Sequence, residues 1–194
     1  MKIYFSSDWH LGHTNVIKYD NRPFKTVEEM DHAIISNVTK PLKKGNSLYY
    51  LGDFALTRSI NAMEGYMKAL AYTEANLFFI RGNHDKKEHI KLYQTYGTYF
   101  GEQKKIKIPD AQADNGVREI VLNHYAMRVW DKSHWGSWHL YGHSHHHLPD
   151  DIHSLSFDVG INGWDYQLID YETVKKKMST KLFKPIDNHR KSKL

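Results

Sequence analysis

The sequence predicts an α/β fold in which two packed β-sheets carry helices on their outer faces. Three observations predict it: short β-rich runs recur along the chain, helix-patterned segments separate the early ones, and a few polar residue types stand directly after the strands. In order, "KIYFSS", "SLYYLGD" and "NLFFIRGN" read as strands. "TVEEMDHAIISNVTK" opens with Thr26 and Glu29 at capping-box spacing and carries apolar residues at helical intervals. "SINAMEGYMKALAY" and "HDKKEHIKLYQTY" also read as helices. The later runs, "KKIKIPD", "GVREIVLNH", "WHLYGHS" and "SLSFDVG", make the back half mostly strand, which predicts a more antiparallel section there.

The 194 residues are most simply one domain, 1–194, long enough to bury a core and free of repeats or low-complexity linkers. At 40% hydrophobic and 25% charged, the composition is that of a globular protein. No apolar run is long enough to cross a bilayer, and "MKIYFSSD" reaches an aspartate too soon for a signal peptide. With zero cysteines there is no disulfide framework, which makes a cytoplasmic setting the default expectation. The net charge of +5 is local. From Tyr171 onward eight Lys/Arg face two Asp/Glu, whereas the preceding residues hold nineteen against twenty. A solvated helix end and a basic, partly frayed tail over about 180–194 account for this; an electrostatic arm for a polyanion is the rival reading.

The polar residues can now be placed. Asp8 and His10 follow the first strand, Gly52-Asp53 the second, and Gly82-Asn83-His84-Asp85 the third. Asn123-His124 ends a later strand and Gly142-His143-Ser144-His145 another. In α/β sheets ligands bind beyond the carboxyl ends of the strands, so five strands delivering Asp, Asn or His there converge on one site. Asp and His suit divalent transition ions, and the alternations Asp8-x-His10 and His143-x-His145 put both side chains of a pair on one face. These donors are too many for one tetrahedral ion. A carboxylate such as Asp53 can bridge two, and two ions about 3.5–4 Å apart with a hydroxide between them attack phosphorus in line.

This ordered set, from Asp8-Trp9-His10 to Gly142-His143-Ser144-His145, resembles the signature of the calcineurin-like metallophosphoesterases over positions 8 to 145. The stretch "SSDWHLGHTNVIKYDNRPF" is further similar to small single-domain bacterial and phage members. The resemblance implies a four-layer αββα sandwich, two mixed β-sheets flanked by helices, with the metal site at the C-terminal ends of the strands. It implies that Asp8, His10, Asp53 and His145 hold one ion and that Asp53, Asn83, His124 and His143 hold the other. Manganese is the first expectation, with iron, nickel, zinc and cobalt as alternatives. His84 would be the catalytic residue that faces the phosphate and protonates the leaving oxygen. The implied reaction is attack by a metal-bridging hydroxide on phosphodiesters, nucleotide-derived ones first, or on monoesters; a nucleotide or nucleic-acid end is the expected partner. The rival class is a catalytically weak binding module of the same fold that acts through a protein partner. All eight motif residues are present, which counts against it. A metallo-β-lactamase-type site needs an H-x-H-x-D-H block that the sequence lacks.

Other residues have ordinary readings. Asp85 stands before a helix with Glu88 at capping-box spacing and reads as its N-cap. His13 and Arg22, in the loop after the first strand, could contact phosphate, while Arg22 before Pro23 could equally anchor the loop. His146 and His147 read as bystanders, and His32, His89 and His189 as polar helix or tail residues. Trp130, Trp135 and Trp138 read as core or lid, or as one wall of a pocket. The protein-phosphatase branch follows its Gly-Asp with another Asp, then Arg and Gly; "GDFALTRS" departs from this and leaves Arg58 as a stand-in. Segments 11–25, 54–60, 86–103 and 126–139 would then set specificity around an open site.

Overall fold

The computed structural model describes residues 1–57, 59–113 and 115–187. In chain order its elements are β1 (Ile3–Ser6), α1 (Thr14–Tyr19), α2 (Val27–Thr39), β2 (Ser47–Tyr50), α3 (Ile60–Ala71), β3 (Asn76–Phe79), α4 (Lys87–Tyr96) and β4 (Thr98–Tyr99). There follow β5 (Gln103–Pro109), β6 (Val117–Asn123), β7 (Trp138–Tyr141), β8 (Ser156–Asp158), β9 (Ile169–Asp170) and α5 (Tyr171–Ser179).

β1, β2 and β3 pair in parallel, with Tyr4 opposite Leu48 and Leu48 opposite Leu77. Their runs are apolar on both faces, Ser6, Ser47 and Asn76 at the strand ends excepted, because both faces are covered. One face sends Tyr4, Leu48, Tyr50, Leu77 and Phe79 into a core with the helices, where α2 contributes Met30, Ile34 and Val38, and α3 contributes Met63, Met67 and Leu70. The other face stacks Phe5 on Tyr49 and Tyr49 on Phe78 across the strands, at 5.7 and 4.7 Å between ring centroids. β4 and β9 complete this sheet in the order β4-β3-β2-β1-β9, and β9 runs antiparallel to β1. The helix starts are chemically specified. Thr26 accepts from the Glu29 amide and Glu29 accepts from the Lys25 amide, while Ser59 accepts from the Ala62 amide.

The second sheet has the order β5-β6-β7-β8. Its expected antiparallel character is confined to the β5–β6 hairpin; β6, β7 and β8 are parallel. The correction has a simple cause. Segments 124–137 and 142–155 are long enough to carry the chain back across the sheet, so parallel strands form here without an intervening α-helix. Between the sheets Phe5, Leu51, Ile80, Ile120, Leu122, Leu140 and Phe157 form a second core, joined by Tyr171, Val174 and Met178 of α5. The result is a mixed α/β fold of two mixed sheets flanked by helices.

The described end of the chain is tied down where a frayed tail was expected. The Leu182 amide donates to the Ile152 carbonyl and the Lys184 amide to the His153 carbonyl, while Lys177 and Lys181 both reach Asp150. Asp187 accepts from Ser133. Arg58, Asp114 and residues 188–194, His189 among them, lie outside the described residues. Among the described residues, no helix is long and apolar enough to cross a membrane.

His139 of β7 is fully buried, with Nδ1 donating to the Val121 carbonyl and Nε2 accepting from the Met127 amide. Burial pushes it down from the ordinary 6.5 to about 4. Because the unfolded chain binds this proton more readily, the contribution is complete above pH 6.5 and is lost as pH falls toward 4, by up to about 3 kcal/mol. His139→Asn, which keeps one donor but does not titrate, should therefore flatten the fall in stability between pH 6.5 and 4 in urea titrations. An unchanged slope would sink the assignment.

Candidate metal centre

β1, β2 and β3 of the first sheet and β6 and β7 of the second all release the chain at one edge of the sandwich, and the motif residues occupy the turns that follow. The local backbone is unusual. Asp8, His10, Asp53, His143 and His145 all lie in the left-handed region, with φ of 60°, 51°, 60°, 66° and 46°. Each such non-glycine residue costs about 1–2 kcal/mol, and the turns persist because they brace one another. The Asp8 amide donates to the Gly52 carbonyl, the His10 amide to the Asp53 carbonyl, and the His143 amide to the Asp8 carboxylate at 2.9 Å. Two glycines allow this approach: a Cβ at Gly82 would strike Asp53, and one at Gly142 would strike Ser7 and Asp8.

The donors form two groups. In the first, Asp8, His10 and His145 bring one ligand atom each within 4.8 Å of the others, with 3.1 Å between the two Nε2 atoms and 3.6 Å from His145 Nε2 to Asp8 Oδ1. In the second, Asp53, His124 and His143 do the same. Asn83 Oδ1 lies 2.9 Å from both His124 Nε2 and His143 Nδ1. Asp53 Oδ2 faces both groups, 3.3 Å from His124 Nε2 and 3.7 Å from His10 Nε2. Donors sharing an ion at about 2.1 Å stand about 3.0 Å apart at right angles and about 3.4 Å apart in a tetrahedron. The observed spacings, 2.9 to 3.7 Å, bracket those values, so the donor set fits two divalent cations with Asp53 facing both.

The electrostatics agree. Burial raises the Asp8 carboxyl to about 7 and lowers His10 to about 3. Burial would also raise Asp53, but its hydrogen bond and charge pairing with His124, together with His10 and the His84 amide, hold it at about 2. Burial would lower His124, yet its hydrogen bond to Asp53 and the charges of Asp8 and Asp53 bring it to about 9. His124 thus holds a proton beside Asp53 at neutral pH, and a cation bound there must release it.

Around this centre the structure separates the remaining residues. His84 is exposed; its amide donates to Asp53 Oδ1 at 2.8 Å while its ring stands edge-on to His10, 5.6 Å between centroids. His13 is half-buried with its ring 5.7 Å from that of His10, so it lies at the rim. Arg22 is an anchor and not a phosphate contact: its side chain is fully buried and donates to the Asp8 and Trp9 carbonyls at 2.9 and 2.8 Å. Asp85 does not cap α4, whose N-cap is Lys86 without a side-chain bond. It turns inward instead, accepting from the amides of Gly82, Asp53 and Phe54 and from the Tyr93 hydroxyl. Backbone donors in the interior outcompete an exposed helix end for this carboxylate. His89 is buried beside Asp85 rather than on a polar helix face. His146 and His147 stand outside both donor groups; the His146 amide donates to Asp158 and its Nε2 meets the Gly160 carbonyl. Trp130 and Trp138 are core residues and Trp135 is exposed. Sequence reasoning missed Asp20, whose Oδ2 lies 2.6 Å from His145 Nδ1, and Asp158, which accepts from the His146 and Gly160 amides. No motif spacing marks either.

Comparison with known proteins follows the same lines. The family model described as calcineurin-like phosphoesterase matches residues 1–164. An uncharacterized protein of Methanocaldococcus jannaschii is 29% identical over 184 residues, covering 90% of each chain. The crystal structure of an Aquifex aeolicus protein of unknown function is similar in fold, with a TM-score of 0.66 and 22% identity, covering 91% of this chain and 98% of that one.

Proposed function

The chain belongs to the calcineurin-like phosphoesterase family, and from that premise we propose that it is a dinuclear, metal-dependent phosphoesterase acting on phosphodiesters, nucleotide-derived ones first, with monoesters second. The observation that carries the reading is the pair of donor groups that share Asp53. When bound, the two ions supply Lewis acidity and lower the pKa of water so that a nucleophile is available near neutral pH. Asp8, His10, Asp53 and His145 would hold one and Asp53, Asn83, His124 and His143 the other. His84 stands at the open side, where its ring can give a proton to the leaving oxygen. His13 lies on the same rim and can donate to a phosphoryl oxygen. Manganese as the first ion to try and a cytoplasmic setting belong to the same proposal.

Preference for a diester is supported by space beside the second donor group. A groove of about 310 Å³ is lined by Arg81, Asn83, Glu102, Asn123, His124 and Tyr125. A monoester leaves it unused, whereas the second arm of a diester can lie along it. Chelator-stripped protein should hydrolyse a chromogenic diester faster than the matching monoester once Mn²⁺, Ni²⁺, Zn²⁺ or Mg²⁺ is restored. Tight binding of metal with no hydrolysis of either ester would turn the reading to a binding module with a protein partner.

A further inference from the structure

The carboxylate of Asp20 lies behind the first donor group. It follows α1 in a turn and is far from His145 in sequence, yet its Oδ2 accepts from His145 Nδ1 at 2.6 Å. Its side chain is only 5% exposed. It is held from the other side by Arg22, whose guanidinium lies 3.5 Å away and also donates to the carbonyls of Asp8 and Trp9. Tyr166 covers that guanidinium at 5.8 Å from its ring centroid. An imidazole that donates from Nδ1 carries its lone pair on Nε2. Nε2 is the atom of His145 that faces His10 Nε2 at 3.1 Å and Asp8 Oδ1 at 3.6 Å. A free histidine can place its proton on either nitrogen and rotate its ring, and His145 sits in a strained turn with φ of 46°. One buried carboxylate removes both freedoms.

We propose that Asp20 is a positioning residue for the metal centre: seated on Arg22, it fixes the tautomer and ring direction of His145 so that Nε2 is presented to one ion. The proposal rests on reading the site as a metal centre. From the turn after α1, Asp20 and Arg22 link the loop after β7, through His145, to the Asp8 and Trp9 backbone after β1, so they join donors that come from different sheets. Carboxylates that orient ligating histidines in this way change metal affinity by about 10–100-fold when removed.

The test is titration of chelator-stripped full-length protein with Mn²⁺, together with thermal unfolding of the stripped protein. Wild type should take up two ions. Asp20→Ala should weaken one by about 10–100-fold, leave the other at its wild-type affinity and leave the unfolding temperature of the stripped protein nearly unchanged. Asp20→Asn still accepts from Nδ1, so it should weaken the same single ion by only a few-fold, roughly, and it decides the matter if the alanine variant does not fold. Wild-type affinity for both ions in both variants overturns the proposal. So does equal weakening of both ions together with a lowered unfolding temperature, which would mark Asp20 as a general support of the fold. Wild-type protein that takes up fewer than two ions overturns the dinuclear reading itself, and the Asp20 proposal falls with it.

Discussion

Asp53→Ala should retain at most one ion and lose at least about 10³-fold in turnover. The Asp53 carboxylate faces both donor groups, through Oδ2 at 3.3 Å from His124 and 3.7 Å from His10. Without it, the second group keeps His124 and His143 but loses its carboxylate, and the first is left with Asp8 alone to offset a dication. Proton release compounds the loss. His124 stands at about 9 because of Asp53 and Asp8, so the variant changes both the ligand and the proton that metal must displace. Asp53→Asn keeps the shape and an oxygen able to accept from the His84 amide, so it separates charge from packing. Metal content by elemental analysis, read beside turnover, checks the prediction; two ions bound at wild-type affinity in Asp53→Ala would refute the bridging role.

His84→Ala should do the opposite, keeping both ions and losing about 10²–10⁴-fold in turnover on a poor leaving group. The contact between His84 and the metal centre runs through its backbone amide, which alanine retains. The ring itself is exposed and lies edge-on to His10. Its removal therefore takes away a proton donor at the open face and leaves Asp53 in place. An activated nitrophenyl ester needs little protonation of its leaving oxygen and should be far less affected than an alkyl ester. Equal loss on both esters would point to phosphate binding instead of acid catalysis, and full activity on the alkyl ester would remove His84 from the mechanism.

Much of this architecture is legible in the residues, and the parts that are not have physical reasons. The seven longer strands announce themselves because β-branched and aromatic residues crowd into short runs bounded by Gly, Asp or Asn. β4 and β9 contain two residues each and are defined only by the neighbours they pair with. α1, with six residues and no side-chain cap, carries too little periodicity to be seen. Strand direction in the second sheet depends on the course of loops, which hydrophobic patterning does not encode. In the site, residues that could bear metal stand in short motifs directly after strands, and the fold gathers all of them. The supporting shell is different. Asp20 and His145 meet over a separation of 125 residues, and a lone aspartate in "YDNRPF" has no local feature to mark it. Asp85 shows the converse, since its spacing to Glu88 is that of a cap while its carboxylate is drawn to three buried amides.

The split of donors between the sheets also fixes when the site can exist during synthesis. Asp8, His10, Asp53 and Asn83 leave the ribosome early, but neither donor group is complete with them alone. The group containing Asp53 waits for His124 and His143, and the group containing Asp8 waits for His145. A nascent chain halted before β6 therefore displays carboxylates and imidazoles with no complete pocket. On the proposed dinuclear reading, capture of the two ions would belong to the late stage of biogenesis, after the second half of the sandwich has docked.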